Sequence, residues 1–320
     1  MTAGARVPWQ AKFASLALIW GASFLLMKVG LRWFAPLQIA TFRILLGAAT
    51  VLVLLRLTGG RLPRSGAVWG HLALVAVFLC SLPFTLFPLG EERVSSALAG
   101  IGNAVTPIAT VLATLALLPA ERLPTGRLVA VVVGFGGVVV IAEPWATAGR
   151  PDALGFGFTL LAGASYGLGW TWVRRHLRAA DLGGLQFPAA LLAVAAGQMA
   201  VVLVGWWLTG SPRLPAPWSP AAAASGAAAL PLAAVAALGV LGTGVAYLFQ
   251  YDVFRAVGQQ VGSLVTYLIP IVSVALGYLV LGERLGPWQL VGAAVVLAAA
   301  VVVSRPQRVR AQSPSGMPPS

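Results

Sequence analysis

The sequence predicts an all-α integral membrane fold of ten transmembrane helices in two inverted five-helix repeats, and three observations lead there. Hydrophobic residues make up 59% of the 320 and charged residues 9%, with mean hydropathy +0.89, whereas a soluble domain carries roughly one-quarter charged residues. Apolar runs of about 20 residues, enough to cross a bilayer, follow one another along the chain. The stretch Val94 to Ile141 also recurs as Val257 to Val303. With Pro107 set on Pro270, the pairs Ile108/Ile271, Glu121/Glu283, Arg122/Arg284 and Leu123/Leu285 coincide, with one extra residue in the first copy. Each copy reads as a helical hairpin: an apolar run, a short acidic-basic turn and a second run.

Taken in order, the spans fall near 11–31, 35–56, 68–89, 94–118, 125–142, 153–173, 183–208, 228–251, 258–281 and 286–304. Arg6 and Lys12 precede the first run as in a secretory signal, but the run is long and shows no convincing small-residue cleavage site. It is therefore read as a retained helix after a cytoplasmic segment, 1–10. Residues 11–142 form the first repeat, 143–152 a connecting loop and 153–304 the second repeat. Ser211 to Pro220 is expected to be a proline-rich external loop. The Pro/Ser/Arg segment 305–320 is too polar to pack and reads as a disordered basic cytoplasmic tail.

Ten spans place both termini on one side. With that side cytoplasmic, fourteen Lys/Arg lie inside and six outside, and Arg43 falls within span two, the bias that orients membrane proteins. Five helices is an odd number, so the second repeat must lie upside down relative to the first. Inverted repeats are a recurring plan of secondary transporters, with the substrate near the midplane between them. The first helices echo each other as well: Gly21-Ala22-Ser23-Phe24 returns as Gly163-Ala164-Ser165-Tyr166, and Leu86-Phe87 with Arg93 returns as Leu248-Phe249 with Arg255.

Composition excludes several classes. The net charge of +13 comes from arginines placed between apolar spans, with no basic patch interleaved with aromatics, which argues against a nucleic-acid partner. Cys80 is the single cysteine, so neither an intramolecular disulfide nor a cysteine-based metal site is expected. No H-E-x-x-H, Walker A or Cys/His cluster occurs, so no metal, cofactor or ATP-driven chemistry is expected. Gly163-Ala164-Ser165-Tyr166-Gly167 spells G-x-S-x-G, but that elbow needs a strand-to-helix turn and a histidine. His176 is eleven residues from Ser165, about 16 Å along a helix. The glycine spacing reads better as a small-xxx-small helix contact.

Candidate site residues follow from position. Trp20, Ser23, Phe24 and Met27 share one face of span one, and Tyr166 and Trp170 are their counterparts in span six; the bland reading of such a stripe is packing. Asn103, Thr106, Thr266 and Tyr267 flank the paired prolines, where a helix-interior proline leaves the carbonyls of Asn103 and Thr266 without their usual donor. Hydroxyls, water or a ligand must then make good the loss. Tyr247 and Gln250 are weaker additions in span eight. Arg43, Pro107, Pro270, Glu121 and Glu283 form a structural or gating set. An intramembrane charge is a functional hypothesis by default, but an arginine bonding to helix-end carbonyls is equally natural. The two glutamates are explained by turn capping and surface pairing. No Asp or Glu falls near the centre of a span, so no embedded proton-trading carboxylate is expected.

The residues Trp20-Gly21-Ala22-Ser23-Phe24 with Lys28, Pro36, Arg43 and the repeated Pro107/Pro270 and Glu121/Glu283 pattern resemble the EamA-type transporters of the drug/metabolite transporter superfamily. The resemblance covers nearly the whole chain and implies ten helices in two inverted repeats and export or exchange of small metabolites, amino acids among them. The second half departs from the pattern, with Ala162, Trp170 and Leu191 where the first has Trp20, Lys28 and Arg43. The expectation is a secondary carrier in a bacterial inner membrane, with a small-molecule substrate and no nucleic acid. Multidrug or cation efflux is the alternative within the superfamily. An intramembrane enzyme lacks a central base, and a receptor or scaffold has no need of two equivalent halves.

Overall fold

The computed structural model describes residues 8–121, 124–146, 149–180, 182–209, 216, 218–221, 224, 226–262 and 264–304, without the side chains of 258–261 and 304. The expected tail 305–320, residues 1–7, Arg122 and most of the loop 211–220 lie outside the described residues.

The described chain is helical, with no strand among the described residues. Helix α1 (Trp9–Gly30) turns into α2 (Pro36–Leu57), whose first position suits a proline because that N–H would be unpaired anyway. Helix α3 (Gly66–Ala76) passes through a π turn, Val77–Ser81, into α4 (Leu82–Glu91). Then come α5 (Ser96–Asn103), α6 (Thr106–Leu117), α7 (Thr125–Ala142), α8 (Ala153–His176) and α9 (Gln186–Leu208). Helix α10 (Ala229–Gly239) passes through a second π turn, Val240–Val245, into α11 (Ala246–Gly262), followed by α12 (Val265–Leu281) and α13 (Pro287–Ser304).

Counted through the π turns and through α5–α6, seven helices among the described residues are long and apolar enough to cross a membrane: Trp9–Gly30, Pro36–Leu57, Gly66–Glu91, Ser96–Leu117, Thr125–Ala142, Gln186–Leu208 and Ala229–Val257. Helices α12 and α13 are apolar but shorter. Val132 of α7, Val201 of α9 and Leu279 of α12 are more than 70% exposed, as side chains facing hydrocarbon are.

The two prolines behave differently. Pro270 sits inside α12 as expected. Pro107 does not: the helix breaks after Asn103, and Pro107 occupies the first turn of α6, where its missing N–H costs nothing.

Helix α1 packs on α12 and on α10 and α11; α8 packs on α6 and on α4; α2 packs on α9 and α7 on α13. The contact of α8 with α5 and α6 depends on absent side chains. A Cβ on Gly163 would stand 2.7 Å from the Gly102 carbonyl oxygen, and one on Gly167 2.6 Å from the Thr110 nitrogen. This is the close approach that small-xxx-small spacing permits.

A central cavity with one closed end

A cavity of about 150 Å³ lies where α1, α2, α8, α11 and α12 meet the two π turns and the α5–α6 break. Nine of the ten residues expected to contact substrate reach it: Trp20, Ser23, Phe24, Asn103, Thr106, Tyr166, Trp170, Tyr247 and Thr266. Tyr267 does not; its hydroxyl donates to the Ala300 carbonyl of α13 at 2.9 Å. Phe84, Phe87 and Thr243 also line the cavity and were not among the expected substrate contacts. The only signals for them are a proline-aromatic run and the Gly242-Thr243-Gly244 triplet, neither of which predicts a π turn.

The π turn explains Thr243. An i→i−5 turn widens the helix and is frequent at functional sites; here the Thr243 hydroxyl donates to the Leu238 carbonyl at 3.2 Å and accepts from Arg43 Nε at 3.1 Å. Arg43 is 6% exposed, with its guanidinium 3.8 Å from the centroid of the Phe84 ring and one nitrogen 3.8 Å from Met27 Sδ. No carboxylate pairs with it among the described residues. The cavity therefore presents a cation held by a hydroxyl, a thioether and an aromatic face.

The other polar groups divide into spent and free. The Thr106 hydroxyl lies 2.8 Å from the Asn103 carbonyl and 2.9 Å from that of Gly163, so its proton is shared between two carbonyls. Ser23 donates to Ile19 in its own helix at 3.0 Å. The Asn103 amide and the Tyr166 hydroxyl have no hydrogen-bond partner among the described residues and face the cavity. The walls offer ring faces, with Phe24 edge-on to Phe87 at 5.2 Å.

The two ends of the cavity differ. Toward the C-terminus of α8 it meets a vestibule of about 700 Å³ that shares Trp170, Tyr247 and Gln250 with it and is flanked by Arg174 and Arg178. Glu121 lies on this side, 3.4 Å from Arg174, both half-exposed. At the other end, Glu283 accepts from the Ser96 amide at 2.9 Å, the Ser96 hydroxyl at 2.9 Å and the Ala97 amide at 3.0 Å. A carboxylate on the unpaired amides of a helix N-terminus is favoured by charge and by the helix dipole. The preceding Gly282 is left-handed at φ +66°, a conformation glycine adopts without strain. Lys28 closes the same end, its ammonium on the main-chain carbonyls of Glu91 and, at 2.9 Å, Val94. Glu91, at the C-terminal end of α4 rather than near the centre of a span, is fully buried, an embedded carboxylate that sequence reasoning did not single out.

The described helices, seven of them long and apolar enough to cross a membrane, surround a central cavity. The EamA-like transporter family matches the chain twice, over residues 9–142 and 153–305, and the chain belongs to that family. It is 24% identical over 295 residues to "Uncharacterized inner membrane transporter YedA" of Escherichia coli, covering 91% of this chain and 88% of that one. An "Uncharacterized transporter" of Archaeoglobus fulgidus is 32% identical over 139 residues, a match that spans about half the length of that relative (48%). A solved crystal structure superposes with TM-score 0.60 at 19% identity, over 92% of this chain and 95% of that one, a likeness in fold. The protein is an integral membrane transporter of the drug/metabolite type, with a small-molecule substrate and the lipid bilayer as its surroundings.

Proposed function

We propose that the chain is a secondary exporter or exchanger of small amphipathic metabolites that carry a carboxylate, zwitterionic or anionic, working by alternating access. The observation that carries this reading is Arg43: a buried cation without a carboxylate partner, set in an aromatic-walled cavity. A buried charge is costly until paired, and a substrate carboxylate supplies the pair. Trp20, Phe24, Tyr166 and Trp170 would stack on the apolar part, while Asn103, Tyr247 and Thr266 would orient the polar part. Thr106 would offer an acceptor only. Cation efflux is disfavoured because Arg43 would repel the cargo.

In this reading all ten spans cross the membrane, 11–142 and 153–304 are inverted repeats, both termini are cytoplasmic and the membrane is the bacterial inner membrane. The packing supports a pseudo-two-fold axis. Exchanging the halves turns the α1 contacts with α12 and with α10 and α11 into the α8 contacts with α6 and with α4, and maps the pairs α2–α9 and α7–α13 onto themselves. The π turns Val77–Ser81 and Val240–Val245 exchange too. Glu121 and Glu283 are then opposite gates, with Glu283 closed and Glu121 released to Arg174.

Counterflow into proteoliposomes with labelled L-phenylalanine, benzoate and tetraphenylphosphonium tests the substrate class. Uptake of either carboxylate compound, blocked by the other and indifferent to tetraphenylphosphonium, is expected. Uptake of tetraphenylphosphonium alone overturns it.

A further inference from the structure

Glu91, the last residue of α4, is 0% exposed, and neither of its carboxyl oxygens has a hydrogen-bond partner among the described residues. An ionised carboxylate withdrawn from water costs several kcal/mol unless donors or a cation compensate it. Lys28 reaches the site from α1, yet its ammonium is bound to the main-chain carbonyls of Glu91 and Val94. The other charges acting on Glu91 are Glu283 beyond α12 and Arg43 of α2. Around it, Glu92 and Arg93 follow on its own chain, and Arg93 stands 3.7 Å from Asp152, the residue that caps the start of α8. A carboxyl placed among these groups with no donor of its own fits a neutral acid.

We propose that Glu91 is a proton-binding site whose occupancy is tied to the Glu283 clasp, which makes the proton the coupling ion of this transporter; the coupling role rests on the carrier reading above. With the proton on Glu91, no repulsion reaches the Glu283 carboxylate, and Lys28 stays on the two carbonyls that close the α4–α5 turn. The clasp on Ser96 and Ala97 then stays shut. When the proton leaves to water at that face, the Glu91 carboxylate draws the Lys28 ammonium off those carbonyls and repels Glu283. Both changes free the N-terminus of α5. Proton release and opening of the Glu283 end are thus one event, and binding of a proton from that face closes it again.

Infrared spectroscopy of the purified protein in lipid tests proton occupancy without any substrate. The parent is expected to show a protonated-carboxyl band at neutral pH that Glu91→Gln removes and Glu121→Gln retains. Absence of the band, or its persistence in Glu91→Gln, overturns the site. Proteoliposome counterflow of L-phenylalanine and benzoate then tests coupling. Glu91→Gln, an isostere of the protonated carboxyl that keeps the packing, is expected to hold the Glu283 end shut and so to lose both exchange at equal pH and accumulation driven by an imposed pH gradient. Exchange like the parent's overturns the tie between Glu91 and the clasp. Exchange by the parent that ignores the gradient overturns coupling and leaves the carrier reading intact. If the parent exchanges nothing on the panel, the carrier reading falls and coupling falls with it, and the infrared band alone decides whether Glu91 binds a proton.

Discussion

Glu283 receives the main-chain amide of Ser96 at 2.9 Å across a sequence separation of 187 residues. With the Ser96 hydroxyl and the Ala97 amide it forms three hydrogen bonds on one helix end. Hydrogen bonds to a charged group contribute about 1.5–3 kcal/mol each, so this one side chain weighs heavily on whether that end of the cavity opens. Gly277 fits the arrangement, since a Cβ there would collide with Glu283 Oε2.

Removing the clasp should open that end. In Glu283→Ala, a cysteine placed at Ser95 is expected to react with a membrane-impermeant thiol reagent at least about tenfold faster than in the parent background, the factor for a shift of 1.4 kcal/mol. Unchanged labelling would show that Glu283 only caps a helix.

The α5–α6 break should depend on the Thr106 hydroxyl, which serves the carbonyls of Asn103 and Gly163. Thr106→Val keeps the shape and is expected to lower stability by about 1–3 kcal/mol, the cost of leaving a buried acceptor unmet. Thr106→Ser should restore most of it, read as the midpoint of thermal unfolding in detergent.

The α8 seam predicts a contrast between two glycines of one helix. Gly167→Ala puts a Cβ 2.6 Å from the Thr110 nitrogen, while Gly157→Ala meets nothing within 4 Å. The first should destabilise by about 1–3 kcal/mol through overpacking. The second should be neutral or stabilising by about 0.4–1 kcal/mol. Equal thermal shifts would contradict the seam.

Much of this was legible in the sequence because membrane spans announce themselves by length and apolarity. Trp20, Ser23, Phe24, Tyr166 and Trp170 could be placed together because the echo of Gly21-Ala22-Ser23-Phe24 in the second half implied facing helices. The rest depended on three-dimensional placement. Thr243 reaches Arg43 through a π turn, which no residue pattern specifies. Tyr267 stands beside Thr266 in the chain but is rotated toward α13, a helical offset that proximity to Pro270 could not resolve. Glu91 was not singled out because it lies at the end of its helix and nothing in the neighbouring sequence marks it as buried. Pro107 and Pro270 align letter for letter, yet only one breaks its helix, since Thr106 and the Gly163 carbonyl stabilise the break in the first copy.

The central claim is that Arg43 binds the substrate carboxylate, and counterflow of L-phenylalanine and benzoate by Arg43→Met tests it most directly, with the unfolding midpoint measured on the same preparation. The account predicts loss of at least about 100-fold in transport efficiency, roughly the 3 kcal/mol that a charge-assisted bond contributes. It also predicts a midpoint equal to or above the parent's, because an unpaired buried cation does not stabilise the fold. A variant that transports both compounds normally, or one that loses transport only because it unfolds, would contradict it.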